Sequence, residues 1–373
     1  MNSNFCSLPW VGLDISPQGN FKPCCKYINT VATSASDYFA STELAQLKQE
    51  FLNGNQPAGC ARCWRDEDAG LESKRQLDFK YTFENSVPAL DSLKVVSMPF
   101  GNTCNLACRI CNSSSSSKWL AEETKLKEFI PDIVISDHKK FYKDPVFMAD
   151  IINRSKNAVL FEFPGGEPFL TGKKEHLSFI KQLASNSPEN LKLHYVTNTS
   201  IMPDEEFWQA WKPFKNVDIQ LSIDGTSEHF EYNRWPADWE HCYANIKEYQ
   251  RRQQECANIQ LSVSHTVSIF TVYYLPEFVA WCEQEGLPEP YLGLLSDPAH
   301  YSITALPEQA ASAIATRLTG PKLSKIKQDL ENNKLSNFDK FINYVIIIDK
   351  QRKQNFSSTF PELYQLLKEY FNA

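Results

Sequence analysis

The sequence has no apolar run long enough to cross a bilayer. The strongest, Val345 to Ile348, is far shorter than the about 20 residues a spanning helix needs. It also lacks, at Met1–Cys6, the charged start and apolar stretch of a secretory leader. The expected address is therefore cytoplasmic, with no membrane partner, where thiols stay reduced. Positive charge is not in excess either: 38 Lys and Arg stand against 45 Asp and Glu, a formal net charge of −7. Without a basic surplus or an Arg/Lys run, polymeric nucleic acid is not an expected partner. No internal repeat is visible, and the Ser113–Ser117 run is too short to form a low-complexity domain. Hydrophobic content of 42% and charged content of 22% are those of a folded chain. Its 373 residues suffice for one large core or two smaller ones.

Cysteine, by contrast, is abundant. There are 11: Cys6, Cys24, Cys25, Cys60 and Cys63 near the start, Cys104, Cys108 and Cys111 together, then Cys242, Cys256 and Cys282. Close spacing in a reducing compartment reads as metal binding rather than disulfide bonding. The last three fall in helical patterns and read as packed thiols.

Three regions are expected. Residues 1–88 are rich in Cys, Gly, Pro and Asn around one helical stretch, Ser41 to Phe51. Residues 89–300 alternate β-rich runs (93–99, 158–163, 191–197, 217–223, 259–267, 291–295) with helical patterns (near 115–128, 144–155, 172–186, 204–212, 238–254, 274–285). Residues 301–373 read as helical, with Pro307 and Pro361 near helix starts and Phe341–Ile348 as a packing face. Alternation of strand and helix implies right-handed βαβ units and a parallel sheet. Six units make a partial (β/α)6 barrel with functional loops at the strand C-terminal ends. A doubly wound open sheet fits the same periodicity.

Directly after the first run of the middle region stands Gly101-Asn-Thr-Cys104-Asn-Leu-Ala-Cys108-Arg-Ile-Cys111. A [4Fe–4S] cube takes one thiolate per iron, so three cysteines leave one iron open. A zinc loop also uses close cysteine pairs. The Cys-x3-Cys-x2-Cys spacing resembles the signature of the radical S-adenosylmethionine (SAM) superfamily. That resemblance implies a SAM-binding [4Fe–4S] cluster on Cys104, Cys108 and Cys111. It also implies reductive cleavage of SAM to a 5′-deoxyadenosyl radical, removal of hydrogen from a substrate C–H bond, and an electron donor such as flavodoxin or ferredoxin. Ile110 stands where the family often has an aromatic residue against adenine.

Further motifs carry the resemblance. Pro164-Gly165-Gly166-Glu167-Pro168 is similar to the family's Gly-Gly-Glu-Pro loop, which binds the SAM amino group. Read alone it is a Gly-Pro turn. Ser222-Ile-Asp224-Gly225 resembles the family's fourth strand end, with Arg234 following as a possible carboxylate ligand. Read alone, Asp224 is a local backbone acceptor in a strand-to-helix turn. Thr197, Asn198 and Val267 stand where SAM or substrate contacts are expected, and His265 where a structural histidine is the simpler reading. Serines 115–117 read as helix caps.

The spacing from Cys6 through Gly19 to Cys24 resembles the opening hairpin of twitch and SPASM modules, and Cys60-Ala-Arg-Cys63 would complete four thiolates. A second, auxiliary [4Fe–4S] cluster on Cys6, Cys24, Cys60 and Cys63 is thereby implied, with Cys25 as an alternative to Cys24. A zinc knot uses the same ligand types. Here the module precedes the barrel, whereas in those families it usually follows. The expected substrate is a peptide or protein, or a small molecule; oxidation, cross-linking and epimerisation are all open. A sugar- or nucleoside-modifying enzyme, or a non-catalytic iron–sulfur or zinc protein, are the alternatives.

Overall fold

The computed structural model describes residues 3–68, 72–82, 93–131, 133–136, 138–170, 172–186, 188–331 and 338–371. Eight strands form one sheet: β1 (Gly12–Ile15), β2 (Phe21–Lys22), β3 (Val95–Ser97), β4 (Leu160–Phe163), β5 (Lys192–Thr197), β6 (Asn216–Ser222), β7 (Ile259–Val267) and β8 (Tyr291–Leu294). Their spatial order is β2-β1-β3-β4-β5-β6-β7-β8. From β3 to β8 every pair is parallel and neighbours follow chain order. A doubly wound sheet reverses its strand order at a switch point. This one never does, so successive crossovers wind in one direction, as in a partial (β/α)6 barrel.

Each of the six β-rich runs forms a strand, and each expected helix lies between its strands. Local chemistry sets their starts. Asp144 accepts hydrogen bonds from Val146 and Phe147 N–H ahead of the helix Pro145–Arg154, whose first residue needs no donor. Asp238 likewise caps Trp239–Glu255. One further helix, Ser227–Asn233, escaped the periodicity because seven residues give barely two turns.

Strand alternation divides the sheet into two faces. Phe161, Phe163, Leu193, Tyr195, Val217, Ile219 and Leu221 are buried against the helices. Phe161 lies 5.5 Å from Phe179, and Tyr195 lies 5.0 Å from Trp211, ring centre to ring centre. The opposite face is the inner one.

The N-terminal hairpin joins this sheet. β1 and β2 pair antiparallel, with Gly19 at φ +76° in the turn between them. β1 then runs parallel to β3, Gly12 opposite Val95. Helices Ala35–Ala40, Thr42–Leu52, Ala61–Asp68 and Lys74–Thr82 follow, three more than were read from the sequence. The boundary expected near residue 88 lies outside the described residues. The C-terminal region is helical: Glu308–Arg317, Ser324–Glu331, Phe338–Arg352, Phe356–Thr359 and Pro361–Phe371. Among the described residues no helix is long and apolar enough to cross a membrane.

Candidate active site

The cysteine loop leaves β3 and is held by backbone and serine contacts. Ser117 Oγ accepts from Cys104 N at 3.2 Å, and Ser116 Oγ donates to the Leu106 carbonyl at 2.6 Å while capping the next helix. Trp119 Nε1 donates to the Cys108 carbonyl at 2.8 Å. Ala107 N and Arg109 N donate to the carbonyls of Trp235 and Asn233 at 2.7 and 2.8 Å. The serine run is thus structural, as its sequence suggests, and it shapes the loop.

Cys111 N closes a turn onto the Cys108 carbonyl at 2.9 Å, and the two thiols are in hydrogen-bond contact. Burial pushes the Cys104 thiol up to about 11. Among the described residues no three His, Cys, Asp or Glu side chains converge on one ion. A three-thiol loop with neighbouring sulfurs is a donor set that fits a cube with one free iron.

The Gly-Gly-Glu-Pro loop crosses close behind. Gly166 sits at φ +56°, and a Cβ there would stand 2.7 Å from the Thr103 carbonyl oxygen. Only glycine permits that approach. Glu167 is fully buried; its Oε1 accepts from Thr197 Oγ1 and its Oε2 from Asn198 N, both at 2.9 Å. Burial raises its acid range to about 7 in spite of those bonds. Asn198 in turn reaches Cys104 Sγ at 3.5 Å and Asn105 Oδ1 at 3.1 Å through Nδ2. Cys104, Glu167, Thr197 and Asn198 therefore form one connected rim at the ends of three strands.

A buried relay supports that rim from below. Trp211 Nε1 donates to Tyr195 Oη at 3.1 Å, Tyr195 Oη meets His176 Nε2 at 3.2 Å, and His176 Nδ1 meets the Pro168 carbonyl at 3.3 Å. Burial lowers the His176 ring to about 3, so it stays neutral. A donor–acceptor chain of this kind fixes the loop that carries Glu167.

The remaining expected residues divide. Asp224 spends both oxygens on the protein: Oδ1 accepts from Thr266 N at 2.7 Å, and Oδ2 pairs with Arg234 Nη2 at 2.7 Å. Arg234 is buried with Nε unpartnered among the described residues. Ser222 ends β6, half-buried, and Ile110 is half-buried in the cysteine loop. The Val267 carbonyl is taken by Leu295 N at 3.0 Å. His265 bonds the Ile223 carbonyl and packs its ring 4.2 Å from Phe278 on the outer helix, the structural placement. Cys242 and Cys282 are buried in helices, while Cys256 caps one.

The N-terminal thiols also sort themselves. Cys63 raises Cys60, both raise Cys6, and Cys25, Cys6 and Cys63 all raise Cys24. Burial is the main cause and takes Cys60 up to about 12. The groups that act on Cys25 are instead Lys74, Asp14, Glu162 and Lys26. Arg75 fixes this corner, donating to the Ser3 and Phe5 carbonyls at 2.9 and 2.8 Å and to Glu67 Oε1 at 2.9 Å. Glu67 lies on the helix that carries Cys63. Four thiols on three segments suit a second cube.

Sequence reading missed the inner face. Register aligns Lys22, Asp14, Ser97, Glu162, His194, Asp218 and Gln260 in one row across seven strands. His194 Nδ1 meets Asp218 Oδ2 at 2.9 Å, and Ser262 Oγ donates to Asp218 Oδ1 at 2.8 Å. Lys74, from the N-terminal region, covers the row with Nζ 3.3 Å from Glu162 Oε2 and 3.1 Å from Asp78 Oδ2. A (β/α) barrel is ordinarily filled by branched apolar side chains. The visible signal was a carboxylate between apolar neighbours, Glu162 between Phe161 and Phe163, Asp218 between Val217 and Ile219. A separate cavity of about 500 Å³ reaches Cys111 between Trp119, Tyr301, Lys340 and Tyr344.

No protein-family model matches the chain. A cysteine-type anaerobic sulfatase-maturating enzyme of Clostridium novyi (strain NT) is 25% identical over 150 residues, 38% of this chain and 36% of that protein. The matched stretch is thus about a third of the relative's length. Among solved structures, native anSMEcpe with bound AdoMet shares 18% identity over 68% of this chain and 66% of that one, at a TM-score of 0.44. Streptococcus suis SuiB bound to S-adenosylmethionine shares 12% identity over 86% and 62%, at a TM-score of 0.39. The curated relative is by its name an anaerobic sulfatase-maturating enzyme, and both structures are by their titles bound to S-adenosylmethionine.

Proposed function

We infer that the protein is a radical SAM enzyme acting on a peptide or protein. Cys104, Cys108 and Cys111 would hold the SAM-binding cube, and Cys6, Cys24, Cys60 and Cys63 would hold the auxiliary one. The bound groups supply a 5′-deoxyadenosyl radical to take hydrogen from a C–H bond and a second centre to accept an electron. One observation carries the reading: Glu167, anchored by Thr197 and Asn198, stands beside Cys104 on a single rim. Gly165 and Gly166 let that backbone approach the amino group of SAM, and Glu167 offers it a carboxylate. Arg234, held by Asp224, faces the cysteine loop with positive charge.

The polar row on the inner face is the substrate chamber in this reading. Oxidation after hydrogen-atom removal releases one electron and one proton. Asp14, which burial raises to about 6, and Glu162, beyond Ser97 in the same row, are placed to receive that proton. Cys25 borders the same chamber and leaves Cys24 as the auxiliary ligand. The peptide substrate is supported by the curated relative, which by its name matures a sulfatase. Residues 1–88, 89–300 and 301–373 are the proposed auxiliary module, barrel and C-terminal region.

The test is anaerobic reconstitution followed by iron and sulfide analysis and assay of 5′-deoxyadenosine under a strong reductant. The expected result is turnover in wild type and none in Cys104→Ala. A fully iron-loaded wild type that leaves SAM intact would overturn the reading, and a non-catalytic metal protein would take its place.

A further inference from the structure

The helix Phe338–Arg352 turns five side chains inward: Phe338, Phe341, Val345, Ile348 and Arg352. The first four make an apolar face; the fifth is a cation. A buried guanidinium is costly unless its charge and N–H groups are answered. Arg352 Nε donates to Glu122 Oε2 at 2.9 Å, and Nη2 donates to the carbonyl of Ala107, beside Cys108, at 2.8 Å. Its guanidinium lies 4.6 Å from the Trp119 ring and 4.8 Å from that of Trp235.

A second ion pair runs the other way. Arg109, between Cys108 and Cys111, pairs with Asp349 of the same helix and donates to Gln354 Oε1 at 3.0 Å. It lies 3.7 Å over the Tyr232 ring. Asp349 is further held by Tyr232 Oη at 2.8 Å and Phe356 N at 2.7 Å. One pair, Arg109–Asp349, thus bolts the C-terminal helix to the cysteine loop; the other, Arg352–Glu122, bolts it to the helix that follows the loop, and Arg352 reaches the loop itself at the Ala107 carbonyl. With Arg234, three buried guanidinium groups surround the loop.

We propose that the C-terminal helix tunes the SAM-cleaving cluster: Arg352 is a positioning residue that fixes the loop and holds positive charge beside it. The inference rests on the radical SAM reading. Reduction adds a negative charge to a centre already bound by three thiolates, and nearby positive charge favours the reduced form. Removing Arg352 charge disfavours reduction; removing the Asp349 charge, which leaves Arg109 less compensated, favours it.

The experiment is an EPR-monitored redox titration of the full, reconstituted chain as wild type, Arg352→Gln, Arg352→Lys and Asp349→Asn. Iron content and deoxyadenosine are measured alongside. Arg352→Gln should lower the ratio of reduced to oxidised cluster about tenfold at fixed potential, about 59 mV for one electron. Arg352→Lys should recover most of that loss, and Asp349→Asn should shift the potential the opposite way. A purely structural contact would not move two variants in opposite directions. If wild type cleaves SAM while Arg352→Gln and Asp349→Asn keep its midpoint, the inference fails and the enzyme reading stands. Should Arg352→Gln lose iron, Asp349→Asn decides, and an unchanged midpoint there overturns the inference. A loaded wild type that cannot cleave SAM removes both.

Discussion

Asp14 illustrates what one buried carboxylate does to the protein that keeps it. Desolvation raises its acid range to about 6; Ser97, Lys22 and Lys74 pull it down, while Glu162 pushes it up. The folded chain therefore binds a proton that the unfolded chain, near the ordinary 3.8, has already released. Stability from this site is lost as pH rises from about 4 to about 6 and stays lost above. Asp14→Asn should accordingly gain on wild type by about 1–1.5 kcal/mol between pH 5 and pH 7.5. Denaturant melts of the apo chain at the two pH values check this; a constant difference would place Asp14 in a wetter setting. Of the residues at the site, the cysteines proposed to bind metal and Gly-Gly-Glu were legible because that chemistry would fix both type and spacing. Asp14 was not. Its neighbours in the row come from six other strands, and no local pattern announces them.

The elements repeat that division. The six middle strands stood out as β-rich apolar runs bounded by turn residues, and the helices between them as apolar faces behind Asp or Pro starts. Ser116 shows an element end set by a side chain: it caps the helix Ser117–Leu126 and bonds the Leu106 carbonyl. Ser116→Ala should cost about 1–2 kcal/mol. It should also lower cluster retention on exposure to chelator, read as loss of visible absorbance over time. Unchanged melting would mean that another group supplies the cap. The short helix Ser227–Asn233 and three of the N-terminal helices were not legible, because their lengths give too few turns for a period to show.

At the scale of the whole chain, the N-terminal region is not a detached appendage. Its hairpin extends the barrel sheet beside β3, and Lys74 reaches Glu162 inside. That arrangement brings the proposed auxiliary thiols to the chamber from the start of the chain, where relatives of this module usually do so from the end. Cys60→Ala should lose roughly half of the iron of the wild type yet retain some uncoupled cleavage of SAM. Iron analysis beside the deoxyadenosine assay separates this from collapse of the fold, in which both would vanish.

Sequence alone determined the donor set of the cysteine loop, the βα alternation and the charge balance. These depend on residue type and short spacing, which a linear text preserves. Tertiary structure decided the barrel order over the doubly wound sheet, the polar inner row, and the clamp of Arg352 and Asp349 on a loop some 240 residues away. Those follow from register and long-range packing, in which the partners of a buried charge are set by three-dimensional neighbours.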